Sequence, residues 1–436
     1  MKITFLGAGS TAFVRNVIGD CMLMPELRDS QFALYDIDPQ RLEESRSILE
    51  AMRLKHGGFG SIRCYCGVEQ RKDALRDAAF VVCAVAVGGY EATCKDFDIP
   101  NRYGLGQVIG DTVGIGGIMR ALRTIPVMED FARDMEEVCP RALLMNYSNP
   151  MAMLTGYLQT YTNVDVVGLC HSVQVCSQLL LTRLGMEDKL EGRSDLIAGI
   201  NHMAWLLELR DKEGNDLYPE VRRRIREGDY PQDDRDLVRL DYIRNFGYYC
   251  TESSLHHAEY SPFYIKRNYP ERLARFGLHL DEYPARCRRQ IAAWKEEYAR
   301  LRTEGVDEHV MSREYGAKII RAIAANEPLQ IGGNVLNTGH YITNLPEEAC
   351  VEVPCLVNGT GIHPCHVGKL PTICAAMNQS NINMQLLTMD AARAKKRDLV
   401  YQAAMMDPHT GAELDVDTIR TMVDDLLQAH GLDEYQ

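Results

Sequence analysis

The chain has 436 residues, of which 46% are hydrophobic and 25% charged, with 61 acidic against 48 basic side chains and a formal charge of −13. That length allows two domains or one large α/β unit, and an acidic balance relieved by no basic run argues against a nucleic-acid partner. No apolar stretch reaches the length of a membrane span, and the first residues read as a strand rather than a signal peptide, so a cytoplasmic protein is expected. The 14 cysteines are scattered, and Cys64 and Cys66 alone form a tight pair, too few for a zinc site. Reduced thiols fit this pattern better than a disulfide framework.

Lys2-Ile3-Thr4-Phe5-Leu6 is a short apolar strand, followed by the turn Gly7-Ala8-Gly9-Ser10, a helix, and a second strand over Gln31-Phe32-Ala33-Leu34-Tyr35 that ends in Asp36. Glycines here let the backbone approach a pyrophosphate at a helix N-terminus, where the dipole favours anions. Asp36 stands where a strand-ending acid meets the ribose hydroxyls of NAD. Ala12 replaces the usual third glycine; the competing reading is an ordinary βα turn.

Next come a helix over 42–55, a buried strand over 79–86 ending near Gly88 and Gly89, a helix over 118–135, and buried strands over 142–146 and 164–169. This alternation predicts an α/β fold, a Rossmann-type doubly wound parallel sheet with helices on both faces. Ligands of such sheets sit beyond the carboxyl ends of the strands, and polar residues gather there: Gly88-Gly89-Tyr90, 146–149 and Cys170-His171. Past residue 195 the pattern changes to charge-rich helices (219–226, 286–303) and short strands such as Cys350-Val351-Glu352-Val353. The expected organisation is a nucleotide-binding domain over 1–195 and a second α+β domain over 196–436 covering it.

Three constellations could carry chemistry. Cys170 ends a strand and His202 stands in a polar break before Met203-Ala204-Trp205-Leu206-Leu207. Together they suit a divalent transition ion with positions open to substrate oxygens; the alternative is a buried Cys and a satisfied core His. Asp111-Thr112, with Gly114, Gly116 and Gly117, leads into a helix carrying Arg120 and Arg123. Asp111 is either a loop and cap residue or a carboxylate presented to substrate. The block from Phe246 through Glu252 to Tyr260 is dense in aromatic and polar side chains. Its tyrosines are packing residues, or one of them is a base beside a metal-bound oxygen.

Gly7-Ala8-Gly9-Ser10, Asp111-Thr112, Asn149-Pro150-Met151-Ala152, Cys170-His171-Ser172-Val173-Gln174 and Asn201-His202-Met203-Ala204 together resemble glycoside hydrolase family 4, over essentially the whole chain. The resemblance implies an NAD- and manganese-dependent glycosidase with a lactate/malate dehydrogenase-like fold. It implies a redox route unlike the two-carboxylate mechanisms of most glycosidases. Hydride leaves C3 of the sugar for NAD, the metal polarises the ketone, and a base takes the C2 proton. The aglycone is then eliminated, water adds, and hydride returns to C3.

Residue by residue, the resemblance implies Cys170 and His202 as metal ligands, Asn149 as a substrate-binding residue, and Gly7, Gly9, Ser10 and Asp36 as the cofactor site. It offers Tyr248 as the base, with Glu252 as the alternative, and Asp111 or His171 as the general acid. His171 stands where members acting on 6-phosphoglucosides tend to carry Asp or Asn, which points to an unphosphorylated substrate. The stretches 251–254, 258–260 and 405–410 look most like members that cleave α-galactosides such as melibiose. The competing activities are α-glucosidase, α-galacturonase, a plain NAD-dependent dehydrogenase, and an NAD-binding protein with no glycosidase chemistry. A homo-oligomer, dimer or tetramer, is expected.

Overall fold

The apolar runs of the first half become β1 (Lys2–Leu6), β2 (Gln31–Asp36), β3 (Ser61–Cys66), β4 (Phe80–Cys83), β5 (Leu143–Asn146) and β6 (Val166–Gly168) in the computed structural model, which describes all residues except 232 and 234. All six pair in parallel in the order β3-β2-β1-β4-β5-β6. This is the dinucleotide-binding order, and its direction reverses between β1 and β4. β1 and β4 are buried almost throughout, as expected of parallel strands covered on both faces.

The strand expected over 79–86 stops at Cys83 because its partner β1 ends at Leu6, where the chain turns away at Gly7. Residues beyond Cys83 lead through Gly88, at φ 82°, into the helix Gly89–Arg102. The helix expected over 118–135 is longer, Gly114–Val138, and takes in the glycines read as loop.

The second half adds β7 (Ser194–Ile200), β8 (Met203–Arg210), β9 (Tyr249–Cys250), β10 (Leu329–Leu336), β11 (Cys350–Asn358) and β12 (Gly361–Pro364). These strands continue the first sheet: β10 pairs antiparallel with β6 at Asn334 and Gly168, and β11, β7, β8 and β9 follow. Among the described residues the result is one sheet of twelve strands. Pairing β10 onto β6 satisfies the open N–H and C=O groups of an edge that would otherwise invite association.

The main apolar core runs through both halves, and a second, smaller cluster gathers Cys176 and Leu180 against Leu206, Val221 and Tyr249. The helix Thr372–Ala394 packs against Gly114–Val138 and Met151–Tyr161. Its Asn378 accepts from the indole of buried Trp205 at 3.2 Å and donates to the Met203 carbonyl at 2.8 Å. This fastens the start of β8, and with it the β7–β8 turn, against the parallel half. Among the described residues no helix is long and apolar enough to cross a membrane.

Candidate active site

At the end of β1, Gly7 adopts φ 85°, and a Cβ there would lie 2.4 Å from the Ala84 carbonyl oxygen. Only glycine lets the turn pass this close to the end of β4. The Gly9 N–H donates to Asp36 Oδ2 at 2.6 Å, and Asp36 Oδ1 accepts from the Asp38 N–H at 3.0 Å. The Ser10 hydroxyl is buried without a partner. A bare backbone turn at a helix N-terminus with an orphaned hydroxyl suits an anionic pyrophosphate.

Cys170 lies just past β6, its Sγ 3.0 Å from Ser172 Oγ and its carbonyl accepting from the Tyr315 hydroxyl at 2.9 Å. The β7–β8 hairpin pairs Ile200 with Met203, so Asn201 and His202 form its tip. Pairing of Trp205 with Cys250 then brings Glu252, just after β9, alongside. One donor atom each from Cys170, His202 and Glu252 lie within 4.8 Å of one another. His202 and Glu252 both take left-handed backbone, φ 65° and 62°. Non-glycine residues keep such conformations where the surroundings over-determine them, often at functional sites.

Burial pushes His202 down to about 4, leaving it the neutral imidazole that metals bind. Its Nδ1 is buried with no partner, so it is not a satisfied core histidine. Burial lifts the Cys170 thiol well above its ordinary range, so a cation is required to form the thiolate. Burial works against the Glu252 carboxylate too, but the neighbouring His256 holds it down to about 2. Thiolate, imidazole and carboxylate together fit a divalent transition ion.

Asp111 is buried and accepts from Thr112 Oγ1 at 2.8 Å and Asn149 Nδ2 at 3.3 Å. His256 Nε2 lies 3.6 Å and Arg120 Nη1 3.8 Å from its carboxylate. Burial alone would raise this acid, yet His256 and Arg120 hold it well below the usual carboxylate range. His256 also faces Glu252, Nδ1 to Oε1 at 3.3 Å, and its ring meets that of His202 edge to face at 4.7 Å. One continuous polar chain therefore runs from Cys170 and His202 through Glu252 and His256 to Asp111, Asn149 and Arg120. Arg123 is outside it, its guanidinium held by Asp96 at 3.0 and 2.6 Å.

His171 is exposed at the head of the helix Ser172–Arg183, within electrostatic reach of Glu252 and His202. Tyr248 does not reach the cluster. Tyr249 pairs with Leu206, on a stretch of β8 running away from His202, which puts the Tyr248 backbone on the order of 17 Å off at about 3.4 Å per residue. Its ring meets Tyr218 at 5.8 Å and lies under Arg222. Tyr260 lies on the His202 side of the cluster, with its ring 6.5 Å from that of His202 and its hydroxyl donating to the Asn201 carbonyl at 3.2 Å. The helical spacing of Glu252 and His256 was the signal for His256, and the density of the 251–260 block was the signal for Tyr260.

Two family models match this chain: Family 4 glycosyl hydrolase over residues 2–186, and Family 4 glycosyl hydrolase C-terminal domain over 197–410. The chain is a family 4 glycosyl hydrolase. It is 53% identical over 442 residues to the alpha-galactosidase of Bacillus subtilis strain 168, with 100% of each chain covered. The 6-phospho-beta glucosidase of Thermotoga maritima, solved with manganese, NAD+ and glucose-6-phosphate, shares this enzyme's fold at TM-score 0.78 and 22% identity over 99% of each chain. Malate dehydrogenase of Plasmodium falciparum matches at TM-score 0.53 and 16% identity, over 92% of this chain and 99% of that one. The glycosyl hydrolase thus has the Rossmann-type, dehydrogenase-like fold expected from its sequence, and a plain dehydrogenase is displaced as its family.

Proposed function

We propose that this family 4 hydrolase is an α-galactosidase of unphosphorylated α-galactosides, melibiose foremost, working by oxidation, elimination, addition and reduction. The observation that carries the reading is the 53% identity to an alpha-galactosidase over the full length of both chains. The basic groups agree with it. Phosphate calls for clustered donors and bidentate contacts, whereas Arg123 is engaged by Asp96, leaving Arg120 beside Asp111.

Gly7, Gly9, Ser10 and Asp36 would hold NAD, and Cys170 and His202, with Glu252 beside them, would hold Mn²⁺. Bound NAD supplies a reversible hydride acceptor, and bound Mn²⁺ a Lewis acid for the sugar C3 oxygen. Asn149, Arg120 and Asp111 offer adjacent donors and acceptors to the sugar hydroxyls, which orients the ring. Asp111, held ionised, suits accepting hydrogen bonds from sugar hydroxyls better than acting as the acid. That role falls to His171 at the exposed rim, where an aglycone departs. We assign receipt of the C2 proton to Tyr260 rather than Tyr248, on its nearness to His202; burial favours its protonated phenol, which a bound cation would help to ionise. The halves divide the work: residues 1–195 carry the nucleotide turn, Asp111 and Cys170, and residues 196–436 carry His202, Glu252 and the 251–260 block.

The test is a panel of aryl α-galactoside, α-glucoside, α-galacturonide and 6-phosphoglucoside, assayed with NAD, Mn²⁺ and a thiol reductant. The α-galactoside should be preferred by a wide margin, since a wrongly placed hydroxyl leaves buried polar groups unpaired. Activity should need NAD yet accumulate no NADH. Preference for the uronide or the phosphorylated sugar overturns the substrate assignment, and NADH formed in step with product overturns the redox cycle.

A further inference from the structure

Asp111 sits on a segment, residues 106–113, without helix or strand. Gly110, at φ 51°, and Gly114, at φ 73°, flank it with left-handed backbone. An unsupported loop of this composition would be mobile. Here its main chain is tied down on both sides of Asp111. Glu259, 3% exposed, accepts through Oε1 from the N–H groups of Val108 at 2.6 Å and Ile109 at 3.0 Å, and through Oε2 from Gly110 at 2.9 Å. Asp407, 1% exposed, accepts through Oδ1 from the Gly114 N–H at 3.0 Å and through Oδ2 from the Thr410 N–H at 2.7 Å. His409 Nε2 lies 2.9 Å from the Gly106 carbonyl oxygen, and Gln107 bridges the Asp96 carbonyl and the Gly116 N–H at 2.7 and 3.2 Å.

Burying two carboxylates is costly unless their oxygens are saturated, and converging backbone N–H groups form an anion-binding nest that saturates them. The placement of Glu259 ties the two ends of the site together. Within one short segment Glu252 faces Cys170 and His202, His256 faces Asp111, and Glu259 grips the backbone of the loop that carries Asp111. The span between Asp111 and the Cys170, His202 and Glu252 cluster is therefore set by this segment rather than by loop closure on substrate. We propose that Glu259 and Asp407 are positioning residues that hold Asp111 at its working distance from that cluster. The proposal rests on the reading of Asp111 as a substrate-facing carboxylate.

The experiment uses the full-length enzyme as a cycle of Asp111→Asn, Glu259→Gln, Asp407→Asn and the Asp111→Asn/Glu259→Gln pair. Activity is read on whichever glycoside of the panel the wild type cleaves best, so a wrong sugar assignment shows in the wild type and leaves the clamp still tested. NAD binding by fluorescence and Mn²⁺ binding by electron paramagnetic resonance check the rest of the fold. Each clamp variant should lower kcat by about 10- to 100-fold, the effect of misplacing a positioned group by about an ångström, with NAD and Mn²⁺ affinities within about twofold of wild type. Adding Glu259→Gln to Asp111→Asn should cost little more, because both act through one contact. Multiplying losses in the pair overturn the proposal. So does a lowered melting temperature with unchanged kcat, or failure of both clamp variants to fold, because the role is then structural alone.

Discussion

His202 and Glu252 hold their donor atoms from a backbone conformation that costs each about 1 kcal/mol or more. The strain persists because the β7–β8 hairpin tip is held by the strands on either side of it and the turn after β9 by the pairing of β9 with β8. Cys170→Ser and His202→Ala should therefore leave the fold intact, remove activity, and abolish the rise in melting temperature that Mn²⁺ gives the wild type. Glu252→Gln should weaken that rise without abolishing it. A full Mn²⁺ response in His202→Ala would refute the metal reading. Chelation should silence the wild type and Mn²⁺ restore it, and oxidation of Cys170 should inactivate it, since the thiolate is ligand and target together.

Among the elements, the βα turn after β1 was readable because its requirement is local: two glycines between an apolar strand and a helix, with an acid ending the next strand. The structure adds the tolerance. A methyl group at Gly7 meets the Ala84 carbonyl at 2.4 Å and demands φ 85° of a residue with a side chain. Gly7→Ala should destabilise the protein by about 1–3 kcal/mol and weaken NAD binding at least tenfold, measured by denaturant melts and fluorescence titration. Unchanged NAD affinity in the folded variant would count against the cofactor site. β10 was missed for the opposite reason. Its centre reads Gly332-Gly333-Asn334, with no alternation of apolar side chains, because Val173 and Cys355 press so close that a Cβ at either glycine would meet them at 2.7 Å. Which tyrosine reaches His202 is likewise decided by register along β8, not by spacing in the sequence.

For the whole molecule, buried ionisable groups shape stability against pH. Burial pushes His257 down to about 3 and His202 to about 4. The unfolded chain takes these protons near pH 6.5, so their contribution is present above 6.5 and lost as pH falls. Glu352 has the opposite sign: burial in the sheet, where Asn334 donates to it at 2.9 Å, pushes it up to about 8. Its contribution is present below its unfolded value and lost as pH rises toward 8. His256 is also raised: burial disfavours its charge, but Glu252 and Asp111 outweigh that, so it too favours the folded state less as pH rises. The metal-free enzyme should be most stable near pH 6.5. On the acid side two histidines lose protection while Glu352 gains it, as do the carboxyls of Glu259 and Asp407, which burial also raises, so the fall there should be shallow. Urea midpoints at constant m-value from pH 5 to 8 would check this, and a flat profile would show that these groups do not titrate differently on folding.

The family, the nucleotide turn, the parallel half of the sheet and the pair Cys170 and His202 follow from the sequence by itself. The turn and the sheet rest on short-range patterns that local physics requires, an apolar run for a buried strand and a glycine for close approach; the family and the ligand roles of Cys170 and His202 rest on motif resemblance, and their approach to one another is set by the fold. Only the tertiary structure decided that the second half extends the same sheet, that Glu252, His256 and Tyr260 join the site while Tyr248 does not, and that Glu259 and Asp407 grip the Asp111 loop. Those outcomes depend on strand register and on carboxylates finding backbone N–H groups more than a hundred residues away in the chain. Long-range pairing of that kind is set by the energy of the assembled core and leaves no periodic trace in the residues that take part.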